Sequence, residues 1–478
     1  MSSSDLDEAG AETALTSYST AFSVQANTAG KVLVIGSFST SKNVKSGYGE
    51  WHLSNGTEAS LDLKRSLNTQ SDKGIASVVH VFTNVTAGSQ INLQHRSSGE
   101  GTLKTFGGNL VAIPLSVSTG EDLNYGLYQQ SQEFKTNSTT FTATDIKTSV
   151  QLDRSSDNGM YIATSFNAKS LTNPETATWQ LQYRKVGDAD WIDTGNEMTR
   201  TMSSPSDEGA ITLYALEEGL DAGEYEVQLL VKSTTGETVD TLNGTIAAVA
   251  LSYTNATGGG YFDGFAVQDN ALNRGDGTDL SAYTNLQASL SFLNSTNTIF
   301  SAMSFVSSAG SGANQTGKFS LFVTNAVGNL QNQENHRFFS GATSKGSGAS
   351  VGLFSITNAY DITIFGQGSN LSGPISTSSA TLVGFSTESI PEAATVTLIA
   401  LSGITMVGGR RSIKSKRFHE WVDAYMRKRK MKNGRTTAVS SKNTAENRIQ
   451  FFQQQKVDIP LQDRLGESAY ERHSMREE

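Results

Sequence analysis

The chain of 478 residues has no cysteine. That excludes disulfides, thiolate metal sites and a cysteine nucleophile, and leaves buried area and sheet pairing to hold the fold. Charge is also scarce, at 17% of residues, and the mean hydropathy is −0.32. Such a chain is too apolar and too weakly charged for wholesale disorder. No helical periodicity of useful length is found before residue 410. Phosphate-binding loops, nucleophile elbows and paired catalytic carboxylates are not recognisable either. What is abundant is Gly, with 45 residues, together with Ser, Thr and Asn. That composition suits many short strands joined by polar turns.

The net charge of −9 conceals an asymmetry. Residues 410–478 carry 17 Lys+Arg against 9 Asp+Glu, whereas residues 1–409 carry 20 against 37. The acidic body argues against nucleic-acid binding there. An acidic body, an apolar run and a basic end form the charge layout of a membrane-anchored chain. Met1–Gly10 lacks the basic and apolar regions of a secretory signal, so either the start is truncated or processed, which is the favoured reading, or export takes another route, or the chain is not external.

Self-comparison reveals duplication. Lys31–Ser39 (KVLVIGSFS) matches Gly159–Asn167 (GMYIATSFN), and the same offset of 128 carries Trp51 onto Trp179. Further on, Arg65 meets Arg200, and the strands Val111–Ser116 and Ala247–Ser252 close the two copies. A third, diverged copy has Ile299–Phe305 in place of the Ser-Phe strand and Lys318–Val323 in place of the Trp strand. Alternation in Ser77–Phe82 and Ile91–His95 predicts strands of period two. The expected fold is all-β, tandem jelly-roll or β-sandwich repeats. The expected divisions are 1–14 as a disordered N-terminus, repeats at 15–118, 119–254 and 255–388, a sorting or transmembrane segment at 389–411, and a basic, partly helical tail at 412–478.

The Ala-Gly turn of Thr86–Leu93, matched by Asp221–Gln228 and set between a hydrophobic hairpin and a short closing strand, resembles the tumour-necrosis-factor-like jelly roll. That family commonly associates in threes, so the resemblance implies a single-chain pseudo-trimer as one arrangement. The other, a row of separate sandwiches, is the expected one. The second copy has an insertion near Gly187–Thr194, and the third lacks the Trp and is Gly-rich, which argues against three equivalent interfaces.

Near the end, Pro391, Glu392, Ala393, Ala394 and Thr395 open a charge-free run to Gly409, followed by Arg410 and Arg411. Seventeen helical residues span about 25 Å, the short limit for crossing a bilayer. The segment resembles the PEP-CTERM sorting signal of exported bacterial proteins, with Ala393 in place of the second proline. The resemblance implies an exosortase and the membrane as partners, and association with exopolysaccharide or biofilm. Here 67 residues follow Arg411, which makes a plain single-span anchor the alternative to cleavage. Beyond it, Phe418, Trp421, Val422 and Tyr425 share one helical face ahead of a basic run, the pattern of a helix lying on an anionic membrane.

Candidate chemistry is sparse. His52, His80, His95, His336, His419 and His473 show no metal-ligand spacing, and no metal, cofactor or catalytic residue is expected. The acidic turn Asn273–Asp279 lacks the spacing of a calcium loop. Trp51 and Trp179, recurrent in the array, are candidates for stacking on sugar, against the commoner role of core aromatics. The resulting expectation is a non-enzymatic cell-surface or matrix protein of the cell envelope. The alternatives are a carbohydrate-binding protein associated with exopolysaccharide and a degradative enzyme.

Overall fold

The computed structural model describes residues 1–389, apart from the connecting segments 44–46, 68–72, 116–122, 154–157, 256–257, 270–280, 292–296, 310–314, 326–327, 340–344, 357–360 and 371–374. All its regular elements are strands, paired antiparallel into six sheets. The sorting residues Pro391–Arg411, the transmembrane-type helix and the basic helical tail lie outside the described residues. Among the described residues no helix is long and apolar enough to cross a membrane.

The sheets pair off into three sandwiches consistent with jelly rolls. In the first, Gly30–Lys42 lies between Lys73–Val85 and Leu103–Pro114, and Ser2–Leu6 flanks the last of these. In the second, Asn158–Ser170 lies between Gly209–Leu220 and Val239–Ala250, flanked by Tyr125–Gln130. In the third, Asn297–Ala309 lies between Gly346–Ile356 and Ile375–Ser389. These are the inner sheets. An outer sheet covers one face of each, for example Thr142–Leu152, Gly223–Ser233, Glu175–Lys185 and Ile192–Met202 in the second.

The matched tryptophans anchor the private cores. Trp51 packs on Phe38 at 5.5 Å between ring centroids, and Trp179 packs on Phe166 at 5.6 Å. The two indole N–H groups donate to Thr105 Oγ1 and Thr241 Oγ1, each at 2.9 Å. In the third sandwich Phe319 stacks on Phe305 at 4.1 Å, so the aromatic pair survives without the indole.

The other face of each inner sheet turns towards the neighbouring sandwiches. Leu33, Val81 and Ile113 stand side by side across three strands of the first sandwich. Tyr161, Leu216 and Val249 hold the same places in the second, and Phe300, Leu353 and Phe385 in the third. Eight of the nine belong to one buried apolar cluster, and Leu353, partly buried, packs against it. Tyr161 meets Phe300 and Phe385 edge to face, at 5.6 and 5.4 Å.

Junctions repeat around the array. Ala210 of the second sandwich enters the first core, Ile75 of the first enters the third, and Val306 of the third enters the second. Ser66 N–H donates to Glu208 O at 2.7 Å, and Thr201 N–H donates to Lys345 O at 2.9 Å. His336 N–H donates to Ser39 Oγ at 2.6 Å, linking the third sandwich back to the first. Each sandwich therefore touches both others, and the pseudo-trimer, not the row, is the arrangement. The features cited against it fall elsewhere. The Gly187–Thr194 insertion is a hairpin end with Val186 and Ile192 about half exposed, and the lost Trp sat in a private core.

Arginines recur at the same junctions. Gly74, Gly209 and Gly346 each lie nine residues after Arg65, Arg200 and Arg337, and a Cβ on any of them would collide with that guanidinium. Arg200 also donates to Asp207, whose carboxyl is held below its ordinary value. Burial acts the other way, and the charges of Arg200 and Arg65 with hydrogen bonds from Ser203 outweigh it.

Candidate functional site

The structure does not gather the sequence's candidates into a site. Trp51 and Trp179 are 0% exposed, so neither offers a ring face to a sugar, which corrects the stacking assignment. His80 and His95 are buried in the first core, and burial pushes both down to about 4 from the ordinary 6.5. Thr105 Oγ1 accepts from Trp51, which leaves its own proton for His95 Nδ1 at 2.9 Å, and the ring is held neutral. The Asn273–Asp279 turn, His419 and His473 lie outside the described residues.

Two polar constellations that sequence reading missed stand on the outer surface. On the first sandwich, His52 Nδ1 lies 2.9 Å from Asp62 Oδ1, and its Nε2 lies 2.8 Å from Gln94 Oε1. Tyr18 packs on the imidazole at 4.0 Å, Arg96 covers the Tyr18 ring at 4.4 Å, and Arg96 Nε donates to Glu50 at 2.7 Å. Burial raises the Asp62 carboxyl, but hydrogen bonds from His52 and Tyr18 and the charges of His52 and Arg96 outweigh it and hold it below its ordinary value. Both ring nitrogens of His52 are engaged within the cluster. A proton shuttle needs one of them facing a substrate, so the arrangement is suited to holding the surface together.

The second constellation is a groove of about 490 Å³ at the open edge of the second sandwich. It lies between Tyr125–Gln130, the edge of the inner sheet, and Thr142–Leu152, the edge of the outer one. The two strands approach closely at Gly126, where a Cβ would fall 2.0 Å from Ser149 O. The outer edge strand is interrupted between Ala143 and Lys147, where Thr144 Oγ1 turns to donate to Leu229 O.

Tyr128, Gln130, Gln132, Asp145, Lys147 and Glu226 line this groove. Tyr128 is 36% exposed. Gln130 is nearly buried, and its Oε1 has no hydrogen-bond partner among the described residues. Glu226 is oriented by Arg184, whose Nε donates to it at 2.7 Å while the guanidinium lies over the Trp191 ring. The local signal in the sequence was weak: Tyr128-Gln129-Gln130 reads as an ordinary edge strand, and its partner strand is fourteen residues further on.

No family model matches the chain, and no curated protein matches it in sequence. Among solved structures it is similar to PNGase F, a glycosylasparaginase from Flavobacterium meningosepticum, at 7% identity over 55% of this chain and 96% of that one, with a TM-score of 0.27. It is also similar to Eiger TNF from S. frugiperda, at 12% identity over 27% of this chain and 92% of that one, TM-score 0.18. The tandem CBM22 domains of Paenibacillus barcinonensis Xyn10C match at 8% identity over 55% of this chain and 93% of that one, TM-score 0.16. Where the sequence reading expected a non-enzymatic protein, the structures matched include an enzyme. Likenesses this slight bring neither an activity nor a ligand to this chain.

Proposed function

We propose that the protein binds carbohydrate through the edge groove of the second sandwich. The observation that carries this reading is a single groove in which the exposed ring of Tyr128 stands with Gln130, Gln132, Asp145 and Glu226. A sugar presents donor hydroxyls to amides and carboxylates and an apolar C–H face to an aromatic ring. Gln130, Gln132, Asp145 and Glu226 supply the first, and Tyr128 supplies the second. The groove is open along the sandwich edge, which suits a chain passing through more than a small molecule enclosed on all sides.

The test is a glycan array followed by calorimetric titration of the best ligand. Tyr128→Ala and Gln130→Ala are expected to weaken binding at least tenfold, while Trp51→Phe, a change inside the first core, leaves affinity unaltered. Retention of binding by both groove variants, or no binding to any glycan, would refute the assignment.

A further inference from the structure

The seam between the first and third sandwiches is the one junction that no chain connection bridges directly. Three potential metal ligands converge there. Glu8 comes from the link between Ser2–Leu6 and Ala11–Thr13, and Glu334 and His336 lie beside and within Asn335–Phe339. One donor atom from each lies within 4.8 Å of the others. His336 Nε2 is 3.3 Å from Glu8 Oε1 and 3.9 Å from Glu334 Oε2.

His336 is the independent sign of a ligand. It is 4% exposed, packed edge-on against Phe106 at 5.5 Å, and neither ring nitrogen has a hydrogen-bond partner among the described residues. A buried, unpartnered imidazole with Nε2 beside two carboxylates offers the donor that a cation needs.

We propose that Glu8, Glu334 and His336 bind a divalent transition-metal ion of the zinc class, which pins the N-terminal segment of the first sandwich to the third. Imidazole nitrogen and carboxylate oxygen are both ligands that such an ion takes. Bond lengths of about 2.0–2.2 Å place tetrahedral donors about 3.3 Å apart, close to the spacing here. Lys318 is the competitor: its Nζ lies 2.6 Å from Glu334 Oε2 and 3.6 Å from Glu8 Oε1. The ion and the ammonium seek the same oxygens, so the lysine must withdraw as the metal enters.

That competition makes the test two-sided. The full chain, stripped with a chelator, is titrated with Zn²⁺ by calorimetry and with Co²⁺ by visible absorption. One site with four-coordinate Co²⁺ bands is expected. His336→Gln and Glu334→Gln should weaken Zn²⁺ binding at least tenfold, and Lys318→Met should tighten it at least threefold. Zn²⁺ should also raise the melting temperature of the wild type and not of His336→Gln. Equal affinity in wild type and in the ligand variants would assign the ion to other groups, such as His419 and His473, and overturn the proposal. So would the absence of any binding, or weaker binding by Lys318→Met. Should His336→Gln fail to fold, Glu8→Gln, in an exposed link, carries the same expectation of loss.

Discussion

Two strands of the second sandwich, Thr142–Leu152 and Asn158–Ser170, follow one another in the chain and have opposite burial. The first, TATDIKTSVQL, alternates: Thr144, Ile146, Val150 and Leu152 are buried while Ala143, Asp145, Lys147 and Ser149 are exposed. The second, NGMYIATSFNAKS, is buried along almost its whole length, with Met160, Ile162 and Phe166 in the private core and Tyr161 and Ala163 in the shared one. An antiparallel sheet normally keeps one face wet, and alternation is its mark. Where alternation fails in such a sheet, a second buried face is implied. Here that face is the meeting ground of the three sandwiches.

The largest expected effect is at that meeting ground. Phe300→Ala should cost about 3–5 kcal/mol, the range for removing a fully buried aromatic. Ile192→Ala, on the half-exposed hairpin of an outer sheet, should cost less than about 0.5 kcal/mol. Urea denaturation of both variants measures the contrast, and equal costs would erase the distinction between the two kinds of sheet.

Acid should attack the private core of the first sandwich. His80 and His95 have folded values near 4 against 6.5 in the open chain. Between those limits the unfolded state binds more protons, so stability is complete above pH 6.5 and falls as pH drops towards 4. The steepest slope is about 1.4 kcal/mol per pH unit for each histidine. Denaturant midpoints across this window should show the decline, and His95→Gln should reduce it by one histidine's share. A pH-independent midpoint would mean that these rings are wet.

The indoles come next. Trp179→Phe reproduces what the third sandwich already has in Phe319, at the loss of one buried hydrogen bond to Thr241 and some packing volume. A cost of about 1–2 kcal/mol is expected. A cost above about 4 kcal/mol would show that the phenyl version of the pair does not transfer between sandwiches. Smallest of all is Tyr128→Ala at the groove, expected to change stability by less than about 0.5 kcal/mol while weakening the proposed glycan binding at least tenfold.

Much of the strand plan was legible, because duplication leaves matched residues. Trp51 and Trp179 do occupy the same place, as do Phe38, Phe166 and Phe305. The third arginine was legible too and was missed: Arg337 precedes Gly346 by the nine residues that separate Arg65 from Gly74 and Arg200 from Gly209. That spacing survives because the guanidinium lies where a Cβ would stand. The bulge opposite Phe166 could not have been read. There Asn243 takes the positive φ of 51° that Gly107 takes in the first sandwich at 54°, and each meets a neighbouring sandwich's backbone. Asn donates its amide to Asp62 O, whereas Gly makes room for Glu334 O, so one constraint is met by two unlike residues. The groove was illegible for a different reason. It depends on two edge strands from different sheets standing side by side, and nothing in either strand alone records that.

The shared core is tested most directly by scanning calorimetry of the full chain and of Phe300→Ala. Three sandwiches that share one apolar centre should melt together, in a single transition whose calorimetric and van't Hoff enthalpies agree, and Phe300→Ala should lower that whole transition. Separate melting of the three sandwiches, with Phe300→Ala shifting the third alone, would contradict it.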